Sequence, residues 1–267
     1  VSELRLLLPG PVVVGRLADP GGGSEAARTR ADAIQALADL YAYPDPVPET
    51  GWVRANMAST LDGAAAGPDG RSRSISSDVD RVVFSVLRGL ADVVLVGAGT
   101  ARAEGYGPLR PKPEFAARRL DTGQWPATAL AFVTRSGKLP DHPDLFRGPD
   151  AAWVVTCAAA DVEALREKAG ERVLVAGEAD VDPAVAVAQL AARGMRRVLL
   201  EGGPTLLART AATGRVDELC FTLTPRLEGG DAPRIAHGAP AGLMLRNAHL
   251  LECEGTLLGR WYVQKQG

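Results

Sequence analysis

The sequence predicts an α/β fold: a mostly parallel mixed sheet with helices on both faces and an antiparallel strand pair toward the C-terminus. Three observations carry this. Between Trp52 and Leu200, short apolar runs alternate with helical patterns, the arrangement that yields parallel strands with crossover helices. Two of those runs end in glycine turns, Gly97-Ala98-Gly99-Thr100 and Glu201-Gly202-Gly203-Pro204-Thr205. The last two strand-like runs, 217–224 and 256–264, have no helical pattern between them, which predicts antiparallel pairing.

Residues 1–50 read as an N-terminal arm, since so short a stretch buries no core of its own. Its first twenty residues are apolar and Pro-punctuated, without clear periodicity. After the Gly21-Gly22-Gly23 break, Ser24 caps a helix to about Tyr41, with Ile34, Leu37, Ala38 and Tyr41 at helical spacing. Pro44, Pro46 and Pro48 form a stiff linker. The arm is expected to pack on the body or on a second copy of the chain.

The body, 51–267, opens with a strand at Trp52–Ala58 and a turn at Asp62-Gly63. Ser77 caps a helix whose apolar positions Val79, Val82, Val83, Val86, Leu87 and Leu90 lie on one face. Strands follow at 92–96, 128–133, 152–156, 172–175 and 196–200. Helices are expected at 161–169, from Pro183 behind its Asp182 cap to Arg193, and at 204–213; Gly194 and Gly214 end the last two. Glu104–Pro113 is irregular.

Composition narrows the function. The 267 residues are 46% apolar with a formal net charge of −2, which gives no electrostatic case for nucleic acid or a membrane surface. The apolar runs fall far short of the ~20 residues that span a bilayer. Cys157, Cys220 and Cys253 are widely spaced and read as buried thiols in a reducing, cytoplasmic compartment. His142, His237 and His249 lack triad or metal spacing, so no metal is expected.

The glycine turns point to a phosphate-bearing ligand. Gly97-Ala98-Gly99 is not a Rossmann fingerprint: the third glycine position is Arg102, and Gly105, Gly107 and Pro108 cut the following helix short. What survives is a strand, a turn and one short helical turn with Thr100 near its start; a plain turn is the alternative. In the second turn, Gly202 and Gly203 let a pyrophosphate approach the main chain, while Thr205 and Leu206 supply helix N-terminal N–H groups. Together the turns suggest a dinucleotide held from two sides. Thr134-Arg135-Ser136, after a strand, suits the 2′-phosphate of NADPH, with a solvated turn as the alternative. Glu201 stands at a strand end where open sheets bind ligands; otherwise it caps the next helix. Asp80 and Phe84, four residues apart, share a helix face and can orient a heterocycle; otherwise Asp78 and Asp80 serve the helix dipole.

Thr60-Leu61-Asp62-Gly63, Val96-Gly97-Ala98-Gly99-Thr100, Glu201-Gly202-Gly203-Pro204-Thr205-Leu206 and Val216-Asp217-Glu218-Leu219 with Gly229-Gly230 occur in this order. Over about residues 50–265 the set resembles the reductase domain of bacterial riboflavin biosynthesis, the RibD C-terminal or pyrimidine reductase family. The resemblance implies a three-layer dihydrofolate-reductase-like fold, NADPH as cofactor and a homodimer. It implies reduction of a ribosylamino-pyrimidine phosphate, of the 5-amino-6-(5-phosphoribosylamino)uracil type, to its ribityl form. Gly97, Gly99 and Thr100 would contact the cofactor, and Gly202, Gly203, Thr205 and Leu206 its pyrophosphate. Asp62 and Gly63 would shape the nicotinamide end, with Glu201 near the substrate. Asp62, Asp80 and Glu201 are thus the candidate catalytic carboxylates. No H-x-E or P-C-x-x-C occurs, so a stand-alone reductase without the zinc deaminase is expected.

The substrate side departs from the family pattern. Asn56 stands where a Lys is common, Ser74 where a Trp is common, and the loop after the first turn reads Glu104-Gly105-Tyr106-Gly107-Pro108-Leu109-Arg110. Asn56, Ser74, Asp80, Phe84 and Glu201 form the expected substrate set. The Asp80/Phe84 pair also resembles true dihydrofolate reductases, so a pterin reductase is a second reading; a non-catalytic NADPH-binding protein is a third.

Overall fold

The computed structural model describes residues 2–8, 12–17 and 24–264. The Gly21-Gly22-Gly23 break and the Ser24 side chain lie outside the described residues. In chain order the elements are β1 (Ser2–Leu8), β2 (Val12–Leu17), α1 (Ser24–Leu40), β3 (Trp52–Thr60), α2 (Asp78–Leu90), β4 (Val93–Gly97), α3 (Ala98–Glu104) and α4 (Ala116–Asp121). There follow β5 (Ala129–Val133), β6 (Trp153–Thr156), α5 (Val162–Ala169), β7 (Val173–Val175), α6 (Pro183–Ala191), β8 (Arg197–Leu200), α7 (Pro204–Ala212), β9 (Glu218–Thr224), β10 (Leu245–Cys253) and β11 (Thr256–Val263).

The strands form one sheet in the order β2-β1-β10-β11-β9-β3-β8-β4-β5-β6-β7. From β9 to β7 the neighbours run parallel. Pairing is antiparallel from β9 through β11, β10 and β1 to β2. Alternate residues of the central strands serve opposite faces. Val94, Val96, Phe132 and Leu199 face a core with Leu37 of α1, Tyr41 just after it, and Val83 and Leu87 of α2. Val93, Leu95, Ala131 and Leu200 face a second core with Val187 and Leu190 of α6 and Leu207 of α7. These are the two helical layers of a three-layer α/β fold.

The helix starts follow their caps. Ser77 Oγ accepts from Asp80 N at 3.3 Å, Asp161 from Ala164 N at 3.0 Å and Asp182 from Ala184 N at 2.8 Å. β9 and β11 pair antiparallel as predicted, with Arg260 opposite Cys220. Two features lie beyond the sequence reading. β10 enters on the far side of β11, and β1 pairs with β10, Arg5 opposite Glu252. The N-terminal stretch therefore contributes strands to the sheet, and α1 buries Ala33, Leu37 and Ala38 on it, followed by Tyr41.

A buried charge cluster fastens α1. Arg260 donates to Glu218 at 2.6 Å and to the carbonyls of Leu40 and Ala42 at 2.8 and 2.9 Å, satisfying the end of the helix. Glu218 also accepts from Arg54, whose guanidinium lies 4.0 Å from the Tyr43 ring centroid. Tyr41 meets His249 of β10 edge-on, centroids 4.7 Å apart. Burial, and then the charges of Arg260 and Arg54, push the His249 imidazole down to about 4. The three cysteines are free and buried, and the described residues hold no cluster suited to a metal ion. No described helix is long and apolar enough to cross a membrane.

Candidate active site

A cleft opens where one strand is too short. β8 pairs with β3 only as far as Ala55 opposite Leu200, and with β4 only to Leu95 opposite Leu200. β3 runs on to Thr60 against β9 alone. The gap at the carboxyl ends of these parallel strands is where such sheets bind ligands. It holds a cavity of about 520 Å³. Asn56, Met57 and Ala58 of β3 line it, with Asp80, Phe84 and Arg88 of α2, Tyr106 of the loop after α3, and Thr100, Glu201 and Gly203.

The two glycine turns are neighbours, not opposing jaws. Gly97 N donates to Gly202 O at 2.8 Å, and Glu201 N to Leu95 O at 3.0 Å. They form one continuous wall, because β4 and β8 are adjacent strands. The Gly97 N–H is spent inside that wall, so the expectation of a ligand gripped from two sides by bare N–H groups gives way to a single backbone surface. The Gly202–Gly203 peptide is cis and Gly202 has φ +83°. A Cβ on Gly203 would fall 2.3 Å from Thr100 Oγ1, so any side chain there would have to push the Thr100 hydroxyl aside. Behind it, Pro204 opens α7, and the helix-start N–H groups of Thr205 and Leu206 have no acceptor within the helix. Thr205 is exposed and Leu206 buried. Gly99 is exposed at the start of α3, which Gly105 ends with φ +72°.

Glu201 is not a free acid. Its carboxylate takes Arg88 in a fork, Nε to Oε1 at 2.7 Å and Nη2 to Oε2 at 2.6 Å, and the Tyr106 hydroxyl donates to Oε2 at 2.7 Å. The Arg88 guanidinium also stacks 4.2 Å from the Phe84 ring centroid and 5.2 Å from that of Tyr106. Burial disfavours its charge, but Glu201 and Tyr106 more than offset this and hold its pKa above the ordinary value. Burial first, and Glu201 second, keep Tyr106 protonated well beyond the usual phenol range. Sequence reasoning missed both residues. Arg88 carried a signal, since it stands one turn beyond Phe84 on the face that holds Asp80. Tyr106 lies in the loop 104–110 already noted on the substrate side, but without periodicity nothing singled it out within that loop.

Asp80 is 8% exposed on the cleft wall, and Ser76 Oγ donates to its Oδ2. Asn56 faces the same cleft, and its amide has no partner among the described residues. The structure does not bring Ser74 into this lining: its hydroxyl donates to Asp69 at 2.8 Å and to Arg71 O at 2.7 Å. Neighbouring Ser72, Arg73 and Ser76 take the rim instead.

Asp62 also lies outside the lining. Its carboxylate accepts from the Thr60 hydroxyl and from the N–H groups of Gly229, at 2.6 Å, and Glu228, at 3.2 Å. The Thr60 hydrogen bond, then Gly229, push it down to about 2. Asp62 therefore ties the β3 turn to the 226–230 loop, and Gly63 at φ +87° completes that turn. Thr134 and Arg135 follow β5, the strand next to β4, at the same end of the sheet. Thr134 is buried, and Arg135 is exposed and outside the cleft lining.

Comparison with known proteins agrees with this geometry. A model of the RibD C-terminal domain matches residues 51–258. A 2,5-diamino-6-ribosylamino-4(3H)-pyrimidinone 5′-phosphate reductase of Methanothermobacter thermautotrophicus is 30% identical over 191 residues, covering 70% of this chain and 84% of the relative. The protein of the same description from Archaeoglobus fulgidus is 28% identical over 189 residues, covering 70% and 86%. The crystal structure of a pyrimidine reductase-like protein from Corynebacterium diphtheriae superposes with a TM-score of 0.76 at 23% identity, covering 86% of this chain and 99% of that one, a likeness of fold. With more than three quarters of its length matched to one domain family, the chain belongs to the RibD C-terminal domain family of reductases.

Proposed function

We propose that the protein reduces a ribosylamino-pyrimidine 5′-phosphate to its ribityl form, with NADPH as the reductant. The observation that carries this is the join of a side-chain-free glycine wall to a cleft lined by an acid, an amide and an aromatic ring. The wall fits a dinucleotide: a side chain at 203 would collide with the Thr100 hydroxyl, and the α7 N-terminus offers donors to a pyrophosphate. Gly97, Gly99, Thr100, Gly202, Gly203, Thr205 and Leu206 would hold it. Gly63 would shape the nicotinamide end from the β3 turn. Thr134 and Arg135 would take the 2′-phosphate that separates NADPH from NADH.

NADPH, when bound, supplies the hydride for the opened-ribose carbon. The chain positions the acceptor. Asp80 and Asn56 bind the heterocycle, with Phe84 packing beside it. Arg88 and Tyr106 occupy the Glu201 carboxylate, so we assign Glu201 to holding α2 against the sheet and keeping the wall in register, not to proton transfer. Asp62 acts in the same positioning sense, through the loop it ties. Excluding water and fixing orientation are the protein's share of the rate.

The test is oxidation of NADPH with the pyrimidine phosphate and with dihydrofolate in parallel. Turnover of the pyrimidine is expected; no oxidation with either, alongside tight NADPH binding, would leave only a binding protein. The Asp80/Phe84 pair on the cleft wall supports the pterin reading as well, and failure of a diaminopyrimidine antifolate to compete would dismiss it. The resemblance also supports a cytoplasmic homodimer, which light scattering at the monomer mass would contradict.

A further inference from the structure

The uracil-type substrate expected from the bacterial family and the diaminopyrimidinone named for the archaeal relatives differ at one ring position. The first carries an oxygen at C2, the second an amino group. We propose that this protein selects the 2-amino-4-oxo ring and rejects its deaminated 2,4-dioxo counterpart, and that the Asp80 carboxylate makes the choice. The inference rests on the reductase reading above and names the substrate class of the same cleft.

Three carboxylates line the cleft, and Asp80 is the one that is both buried and left with acceptor capacity to spare. Both Glu201 oxygens are taken, by two Arg88 nitrogens and the Tyr106 hydroxyl. Glu104, half-buried at the mouth, accepts from Ser72 N at 2.7 Å. Asp80 is more than nine-tenths buried and receives one bond, from Ser76 to Oδ2. A carboxylate has about four acceptor sites and no donor, so Asp80 offers Oδ1 and the rest of Oδ2 to whatever fills the cleft.

A carboxylate edge matches two parallel donors. The 2-amino-4-oxo ring presents them side by side, as the exocyclic amine and N3–H. In the dioxo ring the same edge is N3–H flanked by a carbonyl, which would set oxygen lone pairs against a buried carboxylate. Burial makes that mismatch expensive, because neither side can turn to water. The dioxo ring does carry an adjacent donor pair elsewhere, on N1–H and the 6-amino nitrogen. A carboxylate reading that edge would prefer the dioxo ring, so the direction of the preference is itself decisive.

The experiment compares the two ribosylamino-pyrimidine phosphates as substrates, and their two ribityl products as ligands titrated calorimetrically into the NADP⁺-loaded protein. Wild type is expected to favour the 2-amino compounds by about a hundredfold or more in both kcat/KM and affinity. In Asp80→Asn, an amide with one acceptor and one donor suits the N3–H/carbonyl edge, so the preference is expected to fall below about tenfold or reverse. NADPH affinity stays within about twofold, because Asp80 does not touch the glycine wall. Equal handling of the two rings by wild type, a dioxo preference, or a hundredfold preference kept by Asp80→Asn would each overturn the inference and leave the reductase reading standing. Absence of both turnover and binding for either ring would overturn the two together. The wild-type comparison decides even if the variant does not fold.

Discussion

His249 gives the fold a pH dependence that can be worked out in advance. The residue is 5% exposed in β10, under the Tyr41 ring, and its Nε2 has no hydrogen-bond partner. Two arginines, Arg260 and Arg54, face it, with Glu218 only partly offsetting them. Its pKa is pushed to about 4, against an ordinary 6.5 in the unfolded chain. Between those values the unfolded state binds a proton that the folded state refuses, so stability rises with pH there. The contribution is whole above about pH 6.5 and is lost as the pH falls toward 4. At about 1.4 kcal/mol per pH unit, the loss comes to about 3 kcal/mol. His249→Phe keeps a flat ring against Tyr41 and sacrifices no hydrogen bond at Nε2. Urea denaturation of both proteins from pH 7 to pH 4 should show wild type losing about 3 kcal/mol more than the variant. Curves that stay parallel to within about 0.5 kcal/mol would refute the reasoning and mean that His249 charges freely in the folded protein.

Other perturbations separate the roles assigned around the cleft. Arg88→Met strands the buried Glu201 carboxylate and should cost about 3–5 kcal/mol in denaturant unfolding, partly recovered in Arg88→Met/Glu201→Gln; a loss under about 1 kcal/mol would show that Glu201 reaches water. Gly203→Ala drives a methyl into Thr100 Oγ1 and should weaken NADPH binding about tenfold or more in a fluorescence titration. Thr100→Ala in the same chain should restore part of it, and unchanged affinity in the single variant would remove the glycine wall from the cofactor site. Asp62→Asn should speed protease cleavage in the 226–230 loop and leave NADPH affinity within about twofold, since its carboxylate bonds that loop. The Asp62 contribution is present above the ordinary carboxylate range and fades as pH falls through about 2. A large drop in NADPH affinity would return Asp62 to the cofactor site.

The central strands were legible because both their faces are buried, which writes them as unbroken apolar runs such as Val93-Val94-Leu95-Val96. Ser77, Asp161 and Asp182 were legible as caps through local chemistry alone. β10 was not: the run from Arg246 through Asn247 and His249 to Glu252 is half polar, because only alternate side chains from His249 onward are buried. Strand order is a long-range property, so nothing local tells that β4 and β8 touch and that the two glycine turns share a hydrogen bond. Asp62 was misplaced for the same reason: its partners Glu228 and Gly229 lie 166 and 167 residues along the chain. Asn56, Asp80, Phe84 and Glu201, expected together from the sequence, line one cleft, whereas Ser74 turns to its own loop.

The side chains that line the cleft from α2, Asp80, Phe84 and Arg88, stand on successive turns of a single helix face, while the adjoining wall is bare main chain. Two kinds of information are thus stored in two kinds of material. Main chain changes little when residues are exchanged, so it suits a partner that stays constant through evolutionary time. Side chains on one helix can be exchanged singly, so they suit a partner that varies. A descendant could take up a new ring by point substitutions at positions 80 and 84 without disturbing the grip on its reductant. A mutagenesis library confined to those two positions would sample that divergence directly, with the Arg88–Glu201 fork left in place to hold the helix where the choice is made.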